Sequence, residues 1–182
     1  MPMRFPDFFI VGAPKCGTTS LAYYLRQHPQ IFMPENEIHF LSPDFPVHRE
    51  VKTWEHYTSL FENAPSDAIV GEKSISYLYS RCALEKIKKH NPNAKIIIML
   101  RNPIDMMYSL YLHSLRSGVE VARSFEEALS LEPYRLRGLK VPKGIPGTGG
   151  LFYRRLAHYY QYIERYLREF PRENVLIIIF EE

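Results

Sequence analysis

Cysteine is scarce in this chain: Cys16 and Cys82 are the only two in 182 residues. Neither falls in a Cys-x-x-Cys or Cys/His metal spacing, which excludes a disulfide framework and a structural zinc site and suits a reducing compartment. No stretch of about 18 consecutive apolar residues occurs, so no membrane span is expected. The opening Met1-Pro2-Met3-Arg4 passes straight into a strand-like run, so no signal peptide is expected within these residues. The expected location is cytoplasmic for a bacterial chain, with a luminal domain as the other option. Nor does one sign of charge dominate, since 23 Lys and Arg face 20 Asp and Glu for a net charge of +3, and the basic residues are spread. That argues against nucleic acid as a partner and leaves small anions. Internal repeats and low-complexity tracts are also missing. What is present is 46% apolar content, typical of a globular domain. A chain this long buries roughly 70% of its unfolded surface without staples, so a single domain over 1–182 is expected.

Apolar runs at 8–11, 95–100 and 174–180, with a shorter one at 68–70, read as strands. Helical spacing follows the first two, through Leu21, Tyr24 and Leu25 and through Met106, Met107, Leu110 and Tyr111; a further helix is expected over 151–170. Strands this apolar are normally covered on both faces. The pattern predicts an α/β fold of three layers around a mainly parallel sheet, with ligands at the carboxyl ends of the strands. Residues 140–150 mix Gly and Pro and read as a mobile loop, either plain surface or a substrate lid. The chain stops directly after a strand, so a missing C-terminal part is expected.

The loop Gly12-Ala13-Pro14-Lys15-Cys16-Gly17-Thr18-Thr19-Ser20 joins the first strand to the first helix with the Gly-x-x-x-x-Gly spacing of a phosphate loop. Backbone N–H groups, a helix N-terminus and three hydroxyls can cradle an anion there. A nucleoside-triphosphate loop places Lys after the second Gly; here Thr18 stands there and the lysine is Lys15, which disfavours a kinase. The second unit ends its strand on Arg101, where a metal-dependent phosphotransferase typically wants Asp. Arg101 offers a planar fork for phosphate, and Ser109 lies two helical turns on. A surface ion pair of Arg101 with Asp105 is the plainer alternative.

Four segments in order, GAPKCGTTSLAYYLRQHP, PENEIHFL, GEKSISYLY and IIIMLRNPIDMMYSLYLH, resemble the sulfotransferases that use 3′-phosphoadenosine 5′-phosphosulfate. The nearest flavour is the heparan-sulfate-type and bacterial carbohydrate enzymes. The resemblance implies a P-loop-like nucleotide-transferase fold, that nucleotide as donor, 3′,5′-diphosphoadenosine as product, no metal, and a small-molecule or carbohydrate acceptor. It assigns the 5′ end to Lys15, Gly17, Thr18, Thr19 and Ser20, with Cys16 in the same loop, and the 3′-phosphate to Arg101 and Ser109. It makes Glu37 the preferred base and leaves His39 and His113 as candidates, with Lys15 stabilising the leaving group. Lys73 and Ser74 line the acceptor side or merely satisfy Glu72. Cys16 has either a thiol pKa lowered by the helix terminus and Lys15 or a plain packing role. The acceptor wall is expected from residues 42–49 and 140–150. Most of the 13 tyrosines are expected to pack. Two rival readings are a P-loop nucleotide kinase and a non-catalytic nucleotide-binding module, the latter because the family's later Gly-rich basic segment is not in this chain.

Overall fold

Phe8, Phe9, Ile10 and Val11 are all buried, and with Gly12 they form β1 (Phe8–Gly12), the middle strand of the sheet in a computed structural model that describes residues 4–144 and 147–181. The elements then run α1 (Thr18–Leu25), β2 (Ile31–Phe32), α2 (Trp54–Ser59), β3 (Ile69–Lys73), α3 (Arg81–His90), β4 (Lys95–Leu100), α4 (Pro103–Arg116) and α5 (Phe125–Arg135). A 3-10 turn (Thr148–Leu151), α6 (Tyr153–Ala157), α7 (Tyr159–Glu169) and β5 (Val175–Ile179) complete the order. Five strands lie in the order β2-β3-β1-β4-β5, and every pair is parallel, as an α/β sheet built from β-α-β units requires. The chain turns from β1 to one side and returns to the other at β4, and ligands gather at such a reversal, beyond the carboxyl ends of the strands. The loops after Gly12, Lys73 and Leu100 all leave from that edge.

Local chemistry explains the boundaries. Gly71 faces Phe8 in the β1–β3 register, and a Cβ there would lie 2.1 Å from the Phe8 ring. Asn102 caps α4 by accepting from the Ile104 N–H at 3.0 Å, with Pro103 at the first helical position. Behind α4, the fully buried Arg135 makes two 2.6 Å bonds to Glu120, whose carboxylate also accepts from the Tyr153 hydroxyl at 2.8 Å. This ties the segment after α4 to α5 and α6. Among the described residues no helix is long and apolar enough to cross a membrane.

Three expectations are corrected. The 68–70 strand is really β3, running through the polar Gly71-Glu72-Lys73, because Glu72 is buried among hydroxyl donors and does not need solvent. The 174–180 strand is β5, which among the described residues lies at the sheet edge and pairs with β4 alone; Leu176 is 55% exposed, so its apolar run does not mean burial on both faces. The single helix expected over 151–170 is broken at His158, whose φ of −78° and ψ of 63° leave the helical region. In the 140–150 loop, residues 145 and 146 lie outside the described residues. Its far end is fastened rather than free, since the Gly149 N–H donates to the Pro46 carbonyl at 3.0 Å.

Candidate active site

The turn after β1 is shaped by backbone conformations few residues adopt. Lys15 has φ 60° and Gly17 φ 84°, both left-handed. Gly17 is the N-cap of α1, and no side chain accepts from the first N–H groups of that helix. Those N–H groups are therefore left for an anion. A cavity of about 360 Å³ opens here, with Lys15, Gly17, Thr18, Thr19 and Ser20 on one wall and Glu37 and His113 on another.

Cys16 does not join them. Its side chain is buried, its Sγ donates to the Pro14 carbonyl at 3.3 Å and lies 3.9 Å from the Tyr159 hydroxyl. Burial pushes the thiol up to about 11, against the smaller pull of Tyr159 and Arg101. The lowered thiol pKa entertained above is therefore incorrect, because the side chain faces the core and only the backbone of Cys16 belongs to the loop.

A second cavity, of about 430 Å³, meets the first at Pro14, Glu37, Ile75, Leu110 and His113. Phe45 and Val47 from the 42–49 segment and Gly147 and Gly150 from the glycine-rich loop line it. Glu37 and His113 thus stand where two compartments join. The Glu37 carboxylate is 3.0 Å from the Lys73 Nζ and 3.0 Å from the His39 Nε2. Burial pushes Glu37 up, but the His39 hydrogen bond and the Lys73 charge outweigh it, and the carboxyl ends below its ordinary range. His113 moves below the ordinary histidine value through burial and the charges of Lys15 and Arg116. The site therefore pairs an ionised carboxylate with a neutral imidazole at neutral pH.

Lys73 and Ser74 part company. The Lys73 Nζ also donates to Thr19 Oγ1 at 3.2 Å, so the end of β3 joins the anion loop to Glu37. Ser74 is fully buried and, like Lys73, lines neither cavity. Its hydroxyl accepts from the Ile38 and His39 N–H groups at 3.2 and 2.9 Å and donates to Glu72 at 2.9 Å. The substrate-contact option for Ser74 is thus corrected: it holds backbone. Glu72 also accepts from Tyr57 at 2.6 Å and Tyr77 at 2.5 Å, yet burial leaves its pKa raised.

His39 lines the second cavity, but both its ring nitrogens are engaged, Nε2 with Glu37 and Nδ1 with Ser76 Oγ at 2.8 Å. Ser76, which sequence reasoning missed, orients that imidazole; only the long-range approach of residues 39 and 76 brings them together. Arg101 pairs with Glu181, Nε to Oε1 at 3.7 Å, and lies 5.2 Å from the Phe180 ring centroid, not with Asp105. At 3.7 Å the ion pair is too long for a hydrogen bond, and among the described residues the buried Nε has no hydrogen-bond partner. Ser109 is half-buried one turn before His113 on α4; neither it nor Arg101 lines the two cavities.

The sulfotransferase-domain family model matches residues 5–182. The chain belongs to the sulfotransferase family. Human bifunctional heparan sulfate N-deacetylase/N-sulfotransferase 2 is 31% identical over 191 residues, a match covering 98% of this chain and 20% of that protein. Human heparan sulfate glucosamine 3-O-sulfotransferase 6 is 29% identical over 175 residues, covering 96% of this chain and 46% of the relative. The chain thus spans about a fifth of the length of the N-deacetylase/N-sulfotransferases it matches. Among solved structures, a sulfotransferase from Alicyclobacillus acidocaldarius superposes with a TM-score of 0.85 at 38% identity, over 98% of this chain and 74% of that one. The sulfotransferase domain of the Synechococcus PCC 7002 olefin synthase shares the fold, with a TM-score of 0.58 at 18% identity, covering 97% of this chain and 66% of that one.

Proposed function

We propose that this chain transfers the sulfuryl group of 3′-phosphoadenosine 5′-phosphosulfate to a hydroxyl or amine, with a carbohydrate as the favoured acceptor. The observation that carries the reading is Glu37, an ionised carboxylate at the junction of the two cavities, tied through Lys73 to Thr19 of the anion loop. The donor supplies an electrophilic sulfur and a nucleotide phosphate as leaving group. Lys15 and the uncapped N–H groups of α1 would hold charge at its 5′ end. Arg101, at the carboxyl end of β4, would offer its guanidinium fork to the 3′-phosphate, and Ser109 would add a hydroxyl. Glu37 would take the proton of the acceptor oxygen or nitrogen. His113, held neutral at the same junction, would orient that acceptor by a hydrogen bond. Relatives named for N- and 3-O-sulfation of heparan sulfate support the choice of carbohydrate.

The test is calorimetric titration with 3′,5′-diphosphoadenosine beside transfer of labelled sulfuryl groups to amino-sugar oligosaccharides. Glu37→Gln is expected to bind the nucleotide like the unmodified chain and to lose about a hundredfold or more in transfer. Retained transfer would move the base role to His113 or His39, and a wild-type chain that binds no nucleotide would defeat the reading.

A further inference from the structure

A third cavity, of about 490 Å³, adjoins the second and shares Phe45, Tyr79 and Leu156 with it. Arg81, Arg155 and Arg165 line it, from the start of α3, from α6 and from α7. Asp44 is the carboxylate in the same wall, and it is already committed: it accepts from the Ser80 hydroxyl and from the Arg81 and Cys82 N–H groups at the head of α3. Arg165 is half-buried, donates through Nη2 to the Leu78 and Tyr79 carbonyls at 3.1 and 3.3 Å, and stacks 5.0 Å from the Tyr162 ring centroid. Among the described residues its buried Nε has no hydrogen-bond partner. Among the described residues the guanidinium groups of Arg81 and Arg155 have no hydrogen-bond or ion-pair partner; both residues are exposed.

Three cations around one occupied carboxylate leave positive charge that solvent alone now answers. A guanidinium presents a planar donor fork matched to a carboxylate, a sulfate ester or a phosphate. The neutral hydroxyls of a plain sugar have no use for three such groups. Arg81 and Arg165 also line a groove between α3 and α7 that carries Lys88, Lys89 and Arg168 beside Glu85 and Glu169, so a net positive surface continues outward from the acceptor side.

We propose that the Arg81–Arg155–Arg165 cavity is a distal acceptor subsite, which takes a carboxylate or sulfate ester borne by the acceptor away from the atom that receives the sulfuryl group. This rests on the reading of the Glu37–His113 junction as the place of transfer, and it narrows the acceptor to an anionic one. The shared aromatic and aliphatic wall of Phe45, Tyr79 and Leu156 would lie under the part of the acceptor that links the two points.

The test compares two acceptors, an oligosaccharide of glucosamine alone and one alternating glucuronate with glucosamine. The full chain is set beside Arg81→Gln, Arg155→Gln and the double variant; Arg165 is left intact because it holds backbone carbonyls. For the uronate acceptor the double variant is expected to raise KM about tenfold with kcat unchanged, the loss expected for partly exposed charge-assisted hydrogen bonds. KM for the glucosamine oligosaccharide should stay where it was. Equal changes for both acceptors, or none for either, would overturn the subsite. Calorimetry with 3′,5′-diphosphoadenosine reports separately on the sulfotransferase reading. Should that reading fail, direct titration with the uronate oligosaccharide still decides: binding lost in the double variant upholds the subsite, and no binding, or binding indifferent to the variants, overturns it. Inorganic sulfate that binds with the same dependence on the arginines while the oligosaccharide does not would make this a free-anion site and also overturn the proposal.

Discussion

The Nζ of Lys73 stands 3.0 Å from the Glu37 carboxylate, and the lysine side chain is only 8% exposed. The charge that helps the His39 hydrogen bond to keep Glu37 ionised therefore comes from inside the protein, where salt screens it weakly. The same ammonium reaches Thr19, so a change in the anion loop is felt at the carboxylate through one side chain.

Removing that charge should show in the pH dependence of transfer. Glu37 has a lowered pKa, so the ionised base persists as pH falls through the ordinary carboxylate range. In Lys73→Met burial acts on Glu37 with less opposition, its pKa rises, and the acid limb of kcat/KM moves to higher pH. A pH–rate profile of the variant checks this; an unmoved acid limb would separate Lys73 from Glu37.

Arg101→Ala should weaken 3′,5′-diphosphoadenosine by about tenfold to a hundredfold, as loss of a charge-assisted hydrogen bond implies, and leave adenosine 5′-phosphosulfate unaffected. Parallel titrations of the two nucleotides decide. Equal losses for both would contradict a 3′-phosphate role.

Gly17→Ala meets two obstacles of different kinds. At φ 84° an L side chain is strained by about 1–2 kcal/mol, and its Cβ would lie 2.8 Å from Phe180 Cδ2. The Phe180 ring is 49% exposed and can swing aside. Chemical denaturation of Gly17→Ala is therefore expected to show mainly the backbone cost. Adding Phe180→Ala should restore little; full restoration would mean that the ring contact was the larger obstacle.

Cys16 should be inert to iodoacetamide at pH 7.5 in the folded chain and react only on unfolding, because its thiol is buried and titrates near 11. Cys82, only partly covered, should react first. Mass spectrometry of tryptic peptides reads both, and early labelling of Cys16 would contradict the buried placement.

Much of this was legible in the residues. The Gly12–Gly17 spacing marked the turn between β1 and α1, and the 95–100 run coincides with β4. Local signals carried both, whereas Glu37 was named as base only through the family resemblance. What could not be seen depends on partners far away in the chain. Lys73 faces Thr19 and Glu37 because β1 and β3 pair in parallel, and no spacing encodes that register. Ser74 looked like a polar residue beside a site until burial turned it toward Glu72 and the 38–39 backbone. The run at 174–180 has the apolarity of a central strand, but its place at the sheet edge is a property of topology.

The hydroxyl of Ser74 has a consequence for motion. Residues 37–39 belong to no helix or strand, yet two consecutive amides there end on a side chain carried by the end of the sheet. In native-state hydrogen exchange, Ile38 and His39 should open with the free energy of β3 rather than of a loop. The carboxylate proposed to take the acceptor's proton would then keep its place on the timescale of sheet opening, although no sheet or helix contains it.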